Sequence, residues 1–288
     1  MPDPGHFYLE LRGLFVTAAQ GFDQAGSRRA LRADSPLGAV PARLRDGQAL
    51  LYGEVGLATR LAVVADLAVV RSVTLARDGV GNLSAVGPGD LHVGLRLVLL
   101  DEEVTCALEA RLGVATGRSA GPVPLGPGDL RGDLVLHLGR VWERVPLFVQ
   151  LALGAELRSS GTQRIDGPTL GGASHTVSVD YAPGLVYAAE LGYLARLGER
   201  LRLSPVVRVD GQHGTHAPTT SAPASMEVDP VAPASLRFLR VTAQLSVEVK
   251  VSARRRDALV FSVGGGAFVW GQGLPAAGQV SLAFGHRR

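Results

Sequence analysis

The chain reads as an all-β protein: a transmembrane antiparallel up-and-down β-barrel of about twelve strands, with short periplasmic turns and long extracellular loops. Three observations predict it. Apolar and polar residues alternate with a period of two through segment after segment. The segments run to about ten residues, the length a tilted strand needs to cross a bilayer, against ~5–6 in ordinary soluble strands. The connections between them alternate between short and long.

The first half of the chain holds seven such segments. In HFYLELRGLFV, Phe7, Leu9, Leu11 and Phe15 share a face opposite Tyr8, Glu10 and Arg12. In LYGEVGLATRLAVVADLAVVR, Leu51, Val55 and Leu57 oppose Glu54 and Gly56. After a turn, Leu61, Val63, Ala65, Leu67 and Val69 oppose Asp66. GPGDLHVGLRLVLLDEE sets Leu91, Val93, Leu95, Leu97 and Leu99 against His92, Gly94, Arg96 and Val98. VTCALEARLGV sets Val104, Cys106, Leu108, Ala110 and Leu112 against Thr105, Glu109, Arg111 and Gly113. GPGDLRGDLVLHLG nearly repeats the earlier GPGD segment, with Leu130, Leu134, Leu136 and Leu138 opposite Arg131, Asp133 and His137. In LFVQLALGAELR, five apolar positions from Leu147 to Leu157 oppose Gln150, Gly154, Glu156 and Arg158.

The second half continues the pattern. Leu185, Tyr187, Leu191 and Tyr193 oppose Glu190, Gly192 and Arg196. Leu201, Leu203, Val207 and Val209 oppose Arg202, Ser204, Arg208 and Asp210. Val241, Leu245, Val247, Val249 and Val251 oppose Arg240, Thr242, Gln244, Ser246, Glu248 and Lys250. Leu259, Phe261 and Val263 then oppose Ser262 and Gly264, and Val280, Leu282 and Phe284 oppose Gln279 and Ser281.

Tight connections fall at 58–60, 101–103, 141–145, 197–200 and 253–257, long ones at 18–46, 72–88, 115–128, 159–181, 211–235 and 270–278. If the first strand runs upward, all tight turns lie at one end and all long loops at the other. An even strand number places both termini at the turn end.

A strand's two faces meet different surroundings. The Leu/Val face is expected to meet lipid and the charged face a polar lumen, with closure pairing the backbone groups that hydrocarbon could not satisfy. A soluble sandwich or lipocalin-like barrel would also alternate, with the apolar face inward. Strand length, strand number and loop rhythm favour the membrane barrel over it. Phe7, Tyr52, Tyr187, Tyr193, Phe261 and Trp270 are the candidates for the interfacial aromatic belts.

Composition narrows the function classes. The 288 residues are 46% hydrophobic, yet no apolar run approaches the ~18 residues of a membrane helix. Only 19% are charged and 37 are glycine, which argues against a helical protein. The net charge is +3, Lys250 is the sole lysine, and the arginines are not clustered with aromatics, so nucleic-acid binding is not expected. Cys106 stands alone, which excludes an intramolecular disulfide and an all-cysteine metal site. MPDPGHFYLE has no apolar stretch of a secretory leader. The chain is then either cytosolic or a mature form without its leader, and the strand pattern favours the second. The whole of 1–288 is read as a single barrel domain.

The hairpin LYGEVGLATRLAVVADLAVV, followed by GPGDLHVGLRLVLLDE, ARLGVATG and GPGDLRGDLVLHLG, resembles the outer-membrane transporter family of the meta-pathway of phenol degradation. That family has a GLTDRLEL-like tight turn between two strands, GLGDL opening the next hairpin and PTG ending its second strand. The resemblance covers roughly residues 48–211. Here ATG at Ala115–Gly117 replaces PTG, and the chain ends LAFGHRR rather than on an aromatic residue, with Phe284 four positions earlier. The resemblance implies channel or uptake activity for hydrophobic or aromatic compounds, and it supplies no catalytic residues.

Candidate chemistry is sparse. His213 and His216 in GQHGTHAP have a metal-like spacing but no third ligand nearby. Ser174–His175 lacks a partner carboxylate for a triad. Gly264–Gly266 is followed by neither a lysine nor a helix, as a phosphate loop requires. No enzyme activity, metal or cofactor is therefore expected. The informative constellation is the polar face. Its bases are Arg96, Arg111, Arg131, Arg158, Arg196, Arg202, Arg208, Arg240 and Lys250, and its acids Glu54, Asp66, Glu109, Asp133, Glu156, Glu190, Asp210 and Glu248, with His92 and His137 beside them. They nearly balance. They can form a salt-bridge network filling the barrel, a selective conduit, or both at once. The expected partners are the outer-membrane lipid bilayer, a small solute and the barrel-assembly machinery.

Overall fold

The computed structural model describes residues 4–288 except 24, 34–38, 118, 122, 124, 127, 143, 167–173, 182, 216–218, 221–236, 252–256 and 273. Twelve strands form the barrel: β1 Phe7–Ala18, β2 Val40–Ala58, β3 Leu61–Arg77, β4 Leu91–Asp101, β5 Val104–Val114, β6 Arg131–Val141, β7 Leu147–Arg158, β8 Gly184–Tyr193, β9 Leu201–Gly214, β10 Arg237–Lys250, β11 Ala258–Gln272 and β12 Gly278–Arg287. Each pairs antiparallel with its neighbours in sequence, and β1 pairs with β12 to close the ring. No sheet edge is left along the wall, which satisfies the backbone without water.

The polarity of the two faces is the reverse of a soluble protein's. Leu95 and Leu97 on β4 are 51% and 43% exposed, while Glu109 on β5 is 1% exposed and Glu156 on β7 is fully buried. Exposed leucines and valines from all twelve strands make a continuous outer band, where only lipid is a matching solvent. Phe7, Tyr187, Tyr193, Phe261 and Trp270 lie on this outer face. Tyr52 does not, because it has the parity of Glu54. It turns inward and donates its hydroxyl to Glu54 Oε2 at 3.0 Å, and so is no belt residue.

Among the described residues, strict alternation breaks at four register shifts, one of them at Leu57–Ala58 beside the first turn and three farther along the strands. Val69 and Val70, Leu99 and Leu100, and Val269 and Trp270 are consecutive pairs exposed together, at register shifts where one residue is inserted into the ladder. Each bulge exchanges the parity of the residues beyond it.

The turns at 59–60, 102–103 and 198–200 and the connection from β6 to β7 lie at the end that carries the termini, and of the expected turn at 253–257 residues 253–256 lie outside the described residues. The other end departs from the sequence expectation. Segments 18–46 and 72–88 are read from sequence as loops, but much of each is strand. β2 and β3 run for 19 and 17 residues, and Gly81–Gly87 folds back on Arg71–Arg77 through a turn at Gly79, whose φ of 75° suits glycine. Above the bilayer these strands invert their polarity. Arg43 and Arg45 point out, while Ala42, Leu44, Val73 and Leu75 point in and are buried. Ala18, Leu31, Ala85, Val123, Leu125 and Ala277 complete a dry cluster there. Segments 159–181 and 211–235 contain further strand: Gly161–Asp166 and Ser174–Asp180 form a hairpin flanked by Ala120–Gly121 and Thr219–Thr220.

Candidate functional site: a charged lumen

Alternation on a closed sheet directs every second side chain into the barrel, and the register decides which of them meet. Arg96 lies opposite Glu109 across β4–β5. Its Nε is 2.6 Å from Glu109 Oε2, and its Nη1 reaches Glu54 Oε2 on β2 at 2.9 Å. Glu109 also takes the Arg111 Nε, and His137 Nε2 on β6 stands 3.6 Å from it. Asp66 on β3 meets His92 Nδ1 at 2.9 Å and Arg111 at 3.9 Å. One network thus joins β2 to β6.

A second network crosses β6–β9. Arg131 contacts Asp133 at 3.0 Å and Glu156 at 2.6 Å, and Gln212 on β9 donates to Glu156. Arg158 turns toward the loop end, where it grips Asp129 with two bonds of 2.5 and 2.9 Å and lies 3.7 Å over the Tyr181 ring. A third network spans β8–β10. Arg240 bonds Asp210 at 2.8 Å, while Arg208 lies 3.5 Å from Asp210 and 3.8 Å from Glu190. At the turn end Glu248 takes Arg287 at 2.8 Å and Arg202 at 3.7 Å. Arg196 lines the lumen there, and Lys250 ends β10. Each buried carboxylate therefore has a cation, as a charge away from water requires.

The interior keeps a cavity of 2560 Å³ walled by β4 to β10. Arg96, Glu109, Arg111, Arg131, Asp133, His137, Glu190, Arg196, Arg208, Asp210 and Arg240 line it. Glu54, Asp66, His92, Glu156, Arg158, Arg202, Glu248 and Lys250 do not. They lie behind the lining cations, beside β1–β3, or at the ends.

Sequence reasoning missed several members. Glu10 and Arg12 on β1 form an ion pair, and Tyr8 donates to Glu10 at 2.5 Å. The alternation of HFYLELRGLFV could have supplied all three. Asp46 ends a segment read as a loop, and Arg71, its partner at 2.6 Å, ends the stretch read as strand without being counted among the lumen charges. Arg71 also donates to the Leu125 carbonyl at 2.7 Å, and Asp90 accepts from Gly117 N at 3.0 Å, so the loop after β5 folds into the barrel mouth. No periodicity announces that loop.

The minor candidates separate. No group of three potential metal ligands occurs among the described residues. His213 is exposed on the outer face near the end of β9, and His216 lies outside the described residues. Ser174 and His175 open a strand for which only the backbone is described. Gly264–Gly266 sits in the middle of β11.

No protein-family model matches the chain, and no curated protein matches it. Solved structures do. An outer membrane channel from Pseudomonas putida F1 is similar with a TM-score of 0.64 and 14% identity, covering 100% of this chain and 97% of that one. The translocator domain of the autotransporter NalP from Neisseria meningitidis is similar with a TM-score of 0.51 and 12% identity, covering 99% and 88%. The fold is that of an outer-membrane β-barrel.

Proposed function

We propose that the protein is a passive channel of the bacterial outer membrane, a single barrel domain admitting small, hydrophobic or aromatic solutes through a charge-lined lumen. The observation that supports this reading best is the 2560 Å³ cavity, large enough for a drug-sized molecule and lined by fixed charges. The likeness in fold to an outer membrane channel agrees with it, as does the resemblance of the hairpin motifs to the phenol meta-pathway transporters. The short-turn end is periplasmic by the usual orientation of such barrels. The lumen charges of the three networks then set selectivity. The lumen side chains are placed for ion pairing, which supports reading the protein as a channel rather than an enzyme. Assembly in lipid would follow the barrel-assembly route.

Planar-bilayer recording and liposome swelling on purified protein test the proposal. Ion conductance and solute flux above protein-free controls are expected, and a complete lack of both would remove it. One observation favours a second reading. The dry cluster of Leu31, Val123 and Leu125 sits over part of the loop end, as suits a closed barrel acting through its outer loops. On that reading, deletion within 159–181 or 211–235 changes a surface phenotype, while conductance is absent throughout.

A further inference from the structure

The lumen charges balance in sequence but not in what they present to the cavity. In the lining networks the carboxylates lie flat against the wall and the guanidiniums stand over them. Arg208 is 48% exposed above an Asp210 that is 10% exposed, Arg131 is 36% exposed above a fully buried Glu156, and Arg111 is 31% exposed above Glu109 at 1%. The cause is side-chain length. A short acid anchored on the strand bonds the inner edge of an arginine, whose remaining N–H groups then face the open space. Among the described residues, eight arginines and six carboxylates line the cavity. A solute therefore meets a cationic surface within low-dielectric walls, which concentrate the field.

Between these cations the wall is apolar. Val135, Ala152, Val186 and Ala188 point inward from three adjacent strands and line the same cavity. Their register makes one patch: Ala152 lies opposite both His137 and Ala188, and Gly154 opposite both Val135 and Val186. Arg131 and Arg208 flank the patch on the same strand or its neighbour. Such a surface accepts a flat hydrocarbon body and fixes a negatively charged group at its edge. We infer that the cavity selects organic anions, an aromatic or otherwise apolar body bearing a carboxylate or similar oxyanion, with Arg208 and Arg131 as its anion-binding donors. The inference deepens the channel reading and rests on it for its biological meaning. Arg208 is the most available donor. Its own ion pairs are long, at 3.5 and 3.8 Å, and Asp210 keeps Arg240 without it. A carboxylate can take its fork of N–H groups with two parallel bonds.

The test compares three probes of one shape, 4-nitrobenzoate, 4-nitrobenzamide and 4-nitrobenzylammonium, by equilibrium dialysis against detergent-solubilised protein, with protein-free micelles subtracted. The carboxylate should bind at least about tenfold more tightly than the amide, the worth of one charge-assisted hydrogen bond, and the ammonium most weakly. Arg208→Gln should abolish most of that preference by weakening the carboxylate far more than the neutral amide, and raised salt should weaken the carboxylate while sparing the amide. Equal binding of carboxylate and amide, preference for the ammonium, or no binding of any probe overturns the inference, even if the protein conducts. Because the wild-type comparison stands without the variant, a poorly folding Arg208→Gln leaves the test intact. An arginine-dependent carboxylate preference in a protein that passes no current would instead sustain the inference and remove the channel.

Discussion

The two halves of β2 and β3 are built on opposite rules. Below the bulge at Val69–Val70, the outward residues are Leu51, Val55 and Val63 and the inward ones Glu54 and Asp66. Above it, the outward residues are Arg43, Arg45 and Ser72 and the inward ones Ala42, Leu44, Val73 and Leu75. The same ladder crosses both halves. The backbone thus does not decide which face is apolar; the solvent does. In lipid the leucines face out and the ion pairs fill the interior. In water the sheet reverts to the soluble arrangement and builds a dry core with Leu31, Val123 and Leu125. Asp46 and Arg71, an inward ion pair, mark the changeover between the two kinds of interior.

The largest effect should come from placing the same charge on the outer face of each half. Leu95→Arg sets a guanidinium in hydrocarbon, where barrel measurements give a cost of about 2–4 kcal/mol at the midplane. Loss of the heat-modifiable folded band on gels is expected. Ser72→Arg adds the same charge to the outer face of the water-exposed half and should assemble normally, within about 0.5 kcal/mol. Equal behaviour of the two variants, or wild-type protein remaining in the aqueous fraction without detergent, would erase the boundary.

Next is the dry core. Leu125 is 1% exposed, and Leu125→Ala removes buried methyl groups at a cost of about 2–5 kcal/mol. Because that core belongs to the loop end, the loss should fall there. Protease resistance of the segment after β5 should drop while the barrel's own thermal transition in micelles barely moves. Where the cluster obstructs the mouth, conductance should rise as well. A fall in barrel melting with unchanged loop-end protection would show that the two halves are one cooperative unit.

Inside the membrane half, Arg96→Leu probes the opposite kind of interior. Glu54 keeps the Tyr52 hydroxyl, and Glu109 keeps Arg111 with His137 nearby. Glu54 loses its cation and stays buried, so the barrel should fold at a cost of about 3–5 kcal/mol. With one cation gone, reversal potentials in a salt gradient should move toward cation selectivity. An unmoved reversal potential alongside normal conductance would mean that Arg96 serves packing alone.

This boundary also explains what the sequence could disclose. Period-two alternation with leucine on one face and arginine or glutamate on the other places the strands and assigns each residue a face, as for Leu95 and Arg96. It cannot reveal a strand whose polarity has inverted. VPARLRDGQ and RSVTLAR alternate as regularly as the rest but in the soluble sense, so they read as loops. Bulges are equally hidden, since Val69–Val70 is two apolar residues in an apolar run. Tyr52 is the opposite failure: its parity with Glu54 was legible, and residue type alone suggested a belt. Which carboxylate meets which arginine depends on register between strands far apart in sequence, as Gln212 with Glu156. No local pattern carries that.

The smallest effect lies in the turn that begins the water-exposed half. Asp23 Oδ1 accepts the backbone N–H groups of Ser27 and Ala25, each at 2.9 Å, and Oδ2 contacts Arg29 at 2.8 Å. The Ser27 bond, followed by the Ala25 bond and Arg29, holds this carboxyl below the usual carboxylate range. A depressed carboxyl stabilises the fold above its unfolded pKa, and that contribution is lost as the pH falls through the folded value. Acid should therefore open this turn. Trp270 reports on it, because its indole nitrogen lies 2.8 Å from where a Cβ on Gly26 would stand. Trp142, the other tryptophan, lies at the turn end of the barrel, so Trp142→Phe isolates the signal. In that background Trp270 emission should shift to the red below about pH 4, the ordinary carboxylate range. Adding Asp23→Asn should give the shifted emission already at neutral pH and remove the dependence, with the barrel's thermal transition unchanged. If the shift persists in Asp23→Asn, another carboxyl controls the turn. If Trp270 never responds, the turn is held by the barrel below it, and the two halves are less independent than their opposite polarity implies.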